Sequence, residues 1–277
     1  MPNNAHMTKG ERRDAARAEA LSLREKQLRR DKRNRAITLG VLAAAVIALV
    51  VVVWMILQEG NKTAMEKVGT FPATATATER TGIPIGQAGA AGTSNGDAPE
   101  VGVYLDYMCP VCGQFEELNG ATLDELRESG AATVVLYPVS ILDRQSAGSE
   151  YSTRAASAVA WVADRAPEAL ADFNDQLFAN QPQEGTAGLT DQQLSDLAEQ
   201  AGVPGDVAGG IADGTARETF GEWVTATTEA ATGNQALVNP QSGGFGTPTI
   251  TIDGERWDGN WSETGALQQA VTEAAGA

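Results

Sequence analysis

Cys109 and Cys112 are the residues of this 277-residue chain whose type and spacing could do chemistry. They lie in the segment DYMCPVCGQFEE, and the sequence contains no other cysteine. Two cysteines separated by two residues could form a small structural disulfide, half of a metal site or a redox centre. The residues around the pair discriminate among these three kinds of site.

A structural disulfide and a metal site are both poorly supported. In the chain-entropy model, a disulfide that closes a four-residue loop contributes only about 2 kcal/mol to stability. A structural zinc site needs four ligands, and the chain adds to its two cysteines a single histidine, His6, far away in sequence. A site completed by two carboxylates is the remaining metal alternative, and we expect no metal.

The redox interpretation has positive support from the flanking elements. VGVYLDY, ahead of the pair, alternates apolar residues and predicts a strand, while Pro110 suits the first turn of a helix. Cys109 would then lie at a helix N-terminus, where unpaired N–H groups and the helix dipole lower a thiol pKa. Cys112 would lie one turn further on and be less exposed.

An abrupt change in charge divides the chain. Residues 1–35 carry 11 Lys/Arg and 5 Asp/Glu, a net of +6, whereas the remainder carries 9 Lys/Arg and 31 Asp/Glu, a net of −22. The acidic bulk argues against nucleic-acid binding, which requires a basic surface. The change falls at residues 36–57, which contain neither a charge nor a proline.

Residues 36–57 predict a transmembrane helix. As a helix they would rise about 33 Å, enough to cross a hydrocarbon core of about 30 Å. A cleaved signal peptide is the alternative, but the apolar run is long and no small-x-small cleavage pattern follows it. Seven basic residues between Arg24 and Arg35 predict that the N-terminus is cytoplasmic and the acidic part extracytoplasmic.

The outer part predicts a mixed α/β domain. We expect a basic cytoplasmic head at 1–35, a linker at 58–82 and a domain at 83–277. Within the domain, GIPIG predicts an edge strand, and a strand, helix and strand around the cysteines predict a parallel pair. Helical periodicity over about 150–235 is followed by two extended runs joined at Asp253–Gly254, a hairpin signal.

Three segments together resemble a known family. YLDYMCPVCGQF, the helical stretch FNDQLFANQPQ with LTDQQLSDLAEQAGV, and GTPTITIDG are similar to the membrane-anchored, DsbA-like branch of the thioredoxin superfamily. The resemblance covers about Ile83 to the C-terminus and implies a thioredoxin fold with an inserted helical subdomain. It also implies that Pro248 is cis and faces the cysteines, and that Thr247 contacts the substrate backbone.

The chain departs from the family at two places. The dipeptide between the cysteines is Pro110–Val111, where oxidases of the family often have histidine, and valine cannot stabilise a thiolate. We therefore expect Cys109 to be less acidic than the DsbA thiol, whose pKa is about 3.5. The buried acid expected six residues before the first cysteine is Val103 here. We expect Asp106 to be a solvated carboxylate at the end of the strand rather than its substitute.

These expectations define a function. The resemblance implies a membrane-tethered, extracytoplasmic thiol–disulfide oxidoreductase that forms disulfides in exported proteins through the Cys109–Cys112 pair. Its partners would be exported protein thiols and an unidentified membrane redox protein, and its redox group would be the cysteine pair without a further cofactor. The alternatives are a thiol reductase of the same fold and a redox-inactive binding scaffold in the cell envelope.

Overall fold

A computed structural model describes residues 8–60, 63–76 and 79–276 of the chain. It contains two compact units, Met1–Lys62 and Thr63–Ala277. His6 lies outside the described residues. Each unit is considered by itself below.

The first unit is a single helix, α1, which runs from Lys9 to Gly60. It joins the basic head and the predicted membrane segment without a break. Within the described ranges, it is the one helix that is long and apolar enough to cross a membrane by length and composition. The large apolar side chains from Ile37 to Met55 are exposed, as expected of a surface that faces lipid.

A five-stranded sheet forms the centre of the second unit. Its spatial order is β1-β3-β2-β4-β5, and the strands are Ile83–Ile85 (β1), Glu100–Leu105 (β2), Thr133–Pro138 (β3), Thr249–Ile252 (β4) and Glu255–Arg256 (β5). β2 and β3 are parallel, and the other neighbours are antiparallel. This confirms the edge strand, the parallel pair and the hairpin, whose turn residues Asp253 and Gly254 both have positive φ.

Helices cover the sheet and form the insertion. The helix that links β2 to β3 is α3, Pro110–Glu128, and five helices separate β3 from β4: Tyr151–Arg165 (α4), Leu170–Ala179 (α5), Asp191–Gln200 (α6), Gly205–Ala212 (α7) and Thr215–Gly233 (α8). α9, Ala266–Ala275, follows the hairpin. This is the predicted thioredoxin fold with an inserted helical subdomain.

The compact unit begins earlier than the sequence suggests. It starts at Thr63, within the segment predicted as a linker, and a short helix follows at Ala64–Lys67 (α2). Met65, Val68 and Phe71 are partly buried and pack against the core. Buried apolar surface thus holds part of residues 58–82 to the domain.

Candidate active site at the cysteine pair

The two cysteines lie where β2 ends and α3 begins. Cys109 is the N-cap residue of α3 with an extended backbone, and Pro110 occupies the first helical position. The Cys109 carbonyl accepts the first bonds of the helix, from the N–H groups of Cys112 at 3.0 Å and Gly113 at 3.2 Å. Both cysteines are free thiols, and their exposed fractions are 6% for Cys109 and 1% for Cys112.

Their surroundings make the two thiols chemically unequal. A hydrogen bond from the Cys112 side chain is the main reason that the pKa of Cys109 falls to about 6. Burial is the second-largest effect and raises this pKa, while the Thr247 side chain and the N–H groups of Cys112 and Val111 lower it further. Burial raises the pKa of Cys112 well above its ordinary value. This difference predicts that Cys109 is the nucleophile and the better leaving group.

Thr247 and Pro248 meet the cysteines from the start of β4. The Cys109 thiol donates to the Thr247 carbonyl at 3.3 Å, although the two residues are 138 positions apart in sequence. The Thr247–Pro248 peptide bond is cis, as the resemblance implies. The structure thus brings together Cys109, Cys112 and Thr247, and Pro248 follows directly in the chain. That Pro248 faces the cysteines and that Thr247 contacts the substrate backbone stay predictions.

Open surface lies on two sides of the pair. A cleft of about 230 Å³ is lined by Pro248, Ile250, Trp257 and Trp261. A larger groove of about 740 Å³ runs along α3 from Pro110. Pro110 is exposed, and 43% of the Val111 side chain is exposed between the cysteines. A polypeptide can therefore approach Cys109 across the dipeptide.

Asp106 is buried, so the expectation of a solvated carboxylate is wrong. Its exposed fraction is 0%, and its side chain accepts three hydrogen bonds: from the Met108 N–H and the Ser152 hydroxyl at Oδ1, at 2.9 and 2.6 Å, and from the Leu142 N–H at Oδ2, at 2.9 Å. Burial raises the pKa of Asp106 to about 6 despite these donors. The cause of the error is long-range, because α4 and the segment after β3 enclose the end of β2.

Gln181 is a residue of this site that the sequence does not reveal. It follows α5, and its amide donates to the carbonyls of Tyr107 at 3.2 Å and Cys109 at 2.9 Å. Gly113 permits the approach, because a Cβ there would overlap the Gln181 amide oxygen. Locally, the Gln181–Pro182 pair indicates only the end of a helix.

A series of side-chain hydrogen bonds connects Tyr107 through Asn174 to Glu116 on α3. The Tyr107 hydroxyl donates to Asn174 at 3.0 Å, and the Asn174 amide donates to Glu116 at 3.2 Å. Burial, with the charge of Asp175, raises the pKa of Glu116 to about 7. Among the described residues, no group of three or more His, Cys, Asp and Glu is arranged to hold a metal ion.

Comparisons with known proteins agree with this architecture. DsbA from Mycobacterium tuberculosis, in its reduced crystal structure, is 29% identical, with a TM-score of 0.55 over 71% of this chain and 93% of that one. DsbG from the same organism, a disulfide bond oxidoreductase, is 28% identical, with a TM-score of 0.53 over 70% of this chain and 87% of that one.

A curated relative matches the chain in part. The serine/threonine-protein kinase PknE of Mycobacterium tuberculosis is 29% identical over 164 residues, which are 58% of this chain and 26% of the kinase. The chain thus spans about a quarter of the length of that relative.

The family model described as Thioredoxin matches residues 91–271. That range includes both cysteines, the cis proline and the whole helical insertion. The chain therefore belongs to this thioredoxin family.

Proposed function

We propose that the protein is a membrane-tethered thiol–disulfide oxidoreductase whose redox group is the Cys109–Cys112 pair, and that it promotes disulfide formation in exported proteins. The observation that carries this proposal is the difference between the two thiols. Cys109 has a pKa lowered to about 6 at a helix N-terminus, whereas Cys112 is buried and its pKa is raised. Because of this difference, Cys109 can leave readily as a thiolate, while Cys112 is the sulfur that re-forms the disulfide with it.

The oxidising cycle consists of two exchanges. A substrate thiolate attacks Cys109 Sγ of the oxidised pair, the Cys109–Cys112 bond breaks, and Cys112 leaves and takes up a proton. A second substrate thiolate then attacks the substrate sulfur of the mixed disulfide, and Cys109 leaves as a thiolate. The substrate loses two electrons and the enzyme gains them. A membrane redox partner would return the pair to the disulfide.

A thiol reductase is the second candidate, and the acidity of Cys109 favours it. The pKa of about 6 is closer to that of thioredoxin, about 7, than to that of DsbA, about 3.5. A less stabilised thiolate makes the disulfide less oxidising, because the reduced form loses stability. The same value agrees with the expectation that Val111 leaves Cys109 less acidic than the DsbA thiol.

The redox potential distinguishes the two directions. The full-length protein in detergent would be equilibrated with glutathione buffers, and the reduced fraction measured by alkylation and mass shift. We expect a potential between about −230 and −120 mV, the interval between glutaredoxins and DsbA. A value near or below about −270 mV, that of thioredoxin, would contradict the oxidase and support the reductase.

We place the catalytic domain outside the cytoplasm. The apolar span in α1 and the basic residues before it support this orientation. Alkaline phosphatase, fused to the C-terminus, requires disulfides for activity and should be active in cells. An inactive phosphatase together with an active cytoplasmic reporter at the same position would reverse the topology.

A further inference from the structure

The Asp106 carboxylate is enclosed in the protein without a cationic partner among its hydrogen bonds. Its three donors, two backbone N–H groups and the Ser152 hydroxyl, are all neutral. These hydrogen bonds orient the carboxylate but do not neutralise it. A formal negative charge therefore lies in a site with no solvent to screen it, and its field reaches its neighbours strongly.

Asp106 and Cys109 belong to one turn. The Cys109 N–H donates to the Asp106 carbonyl at 2.9 Å, while the Asp106 carboxylate holds the N–H of Met108 between them. The position of the carboxylate relative to the nucleophile is therefore set by the turn itself. Ser152, on α4, and Leu142, after β3, hold the carboxylate from the other side.

The two groups oppose each other electrostatically. After burial, the charge of Cys109 is a further cause that raises the pKa of Asp106 to about 6, and the pKa of Cys109 itself is about 6. Tyr151 on α4 also faces Asp106, and Cys112 lies against the Asp106 backbone; burial raises the pKa of both groups, so that both stay neutral. The interaction that matters near neutral pH is thus between carboxylate and thiolate.

We propose that Asp106 is a positioning residue that sets the redox equilibrium of the cysteine pair. Its negative charge destabilises the Cys109 thiolate in the reduced protein. The oxidised pair carries no thiolate, so the charge does not destabilise the disulfide in this way. The reduced form is thereby disfavoured, and the pair is less oxidising than its place at a helix N-terminus alone would make it. The inference rests on the proposed thiol–disulfide chemistry and adds the residue that tunes it.

The first test is Asp106→Asn in the full-length protein. Thiolate absorbance of the reduced protein would be followed against pH, and the equilibrium constant with glutathione measured. We expect the wild-type titration to be broadened by the coupled carboxylate and the variant to give a single step, shifted down by about half to one pKa unit. The equilibrium constant should shift about three- to tenfold toward the more oxidising side, and tenfold corresponds to about 30 mV.

An unchanged titration and equilibrium constant in the folded variant would overturn the proposal, as would a shift in the reducing direction. The wild-type protein separates this failure from that of the proposed function. If the wild-type pair exchanges with glutathione and only the variant effect is missing, the role of Asp106 fails alone. If the wild-type pair does not exchange, the proposed function itself fails.

The second test keeps Asp106 and removes one of its donors, which is decisive if Asp106→Asn does not fold. Ser152→Ala removes the hydroxyl that stabilises the carboxylate, so Asp106 should keep its proton to higher pH. The variant should therefore be more oxidising than wild type near pH 6 and approach wild type as the pH rises. A shift independent of pH would contradict the mechanism.

Ser157→Ala is the matched control. Ser157 lies on the same helix, is fully buried like Ser152, and has a hydroxyl with no hydrogen-bond partner among the described residues. Its loss should leave the glutathione equilibrium unchanged. An equal shift in both serine variants would assign the effect to packing of α4 and overturn the proposal.

Discussion

At the scale of single residues, the site depends on the inequality of two chemically identical thiols. Cys109 and Cys112 are one helical turn apart, yet hydrogen bonds lower the pKa of one and burial raises that of the other. In the oxidised form we expect attack at Cys109, because Cys112 is the more deeply buried sulfur, and the low pKa of Cys109 then makes it the thiolate that leaves in the second exchange. Two predictions follow from this difference.

Alkylation of the reduced protein should distinguish the thiols. We expect iodoacetamide to modify Cys109 with a rate that is half-maximal near pH 6, because the thiolate is the reactive form. The Cys112→Ala variant would show whether this reactivity belongs to Cys109 alone, since it removes the side-chain donor and loss of the Cys112 hydrogen bond should raise the midpoint. Faster alkylation of Cys112 than of Cys109 at pH 7 would contradict the assignment of the nucleophile.

The lowered pKa of Cys109 also predicts how stability depends on pH. The folded protein holds the thiolate from about pH 6, whereas the unfolded chain binds that proton up to about pH 9. The stability contributed by this thiol is therefore complete above pH 9 and is lost as the pH falls through 6. Denaturation of the reduced protein and of Cys109→Ser should show a difference that grows from pH 6 to 9. A constant difference would contradict the lowered pKa.

At the scale of elements, the active-site turn is held from outside its own strand and helix. The end of α5 reaches it through Gln181, and α4 reaches it through Ser152. The helical insertion is thus part of the catalytic architecture as well as a cover for the sheet. Substitutions in the insertion should consequently change the reactivity of the cysteines.

Gln181→Ala should loosen this connection. It removes two hydrogen bonds to the active-site turn, which corresponds to about 1–3 kcal/mol of unfolding free energy. We also expect exchange with a model disulfide to slow about tenfold, which corresponds to about 1.4 kcal/mol of lost transition-state positioning. Urea denaturation and stopped-flow kinetics would measure both.

Asn180→Ala is the control for this change. The neighbouring amide is exposed and donates to the Gln176 carbonyl within its own helix. The Asn180→Ala substitution should lower the unfolding free energy by less than about 0.5 kcal/mol, as surface substitutions usually do, and should leave the exchange rate unchanged. Equal effects of the two substitutions would show that the Gln181 amide has no special role.

At the scale of the whole molecule, the second unit includes most of the segment that the sequence presents as a linker. Trp223 on α8 donates its indole N–H to the Arg80 carbonyl at 2.6 Å, and the Arg80 guanidinium lies 4.6 Å from the centre of the Phe71 ring. Gly82 lies against Tyr137 and Val135 so closely that a Cβ there would overlap both side chains. These contacts make residues 63–76 and 79–82 part of the folding unit.

A protein that begins at Ile83 should therefore be less stable than one that begins at Thr63. The loss should be at least about 2 kcal/mol of unfolding free energy, because several partly buried apolar side chains and a partly buried hydrogen bond disappear together. Phe71→Ala in the longer protein should reproduce part of the loss. Equal denaturation midpoints for the two starting points would show that the segment is a linker after all.

Much of the architecture could be predicted because it is encoded locally. Apolar alternation marks β2, the spacing and the proline mark the start of α3, and Asp253–Gly254 permits the positive φ angles of a tight hairpin turn. The cis bond at Pro248 was predictable only through the resemblance of the motif to a family, since composition and periodicity carry no signal for it.

The sequence by itself determined which chemistry is available: two cysteines at redox spacing after a strand and at a helix start, beyond an apolar span. The tertiary structure decided how the site is tuned. The burial of Asp106 depends on Ser152 and Leu142, and the hold on the turn depends on Gln181, all distant in sequence. Periodicity shows which face of an element is apolar, but only packing shows which polar group at its end loses its water, and that loss shifts a pKa.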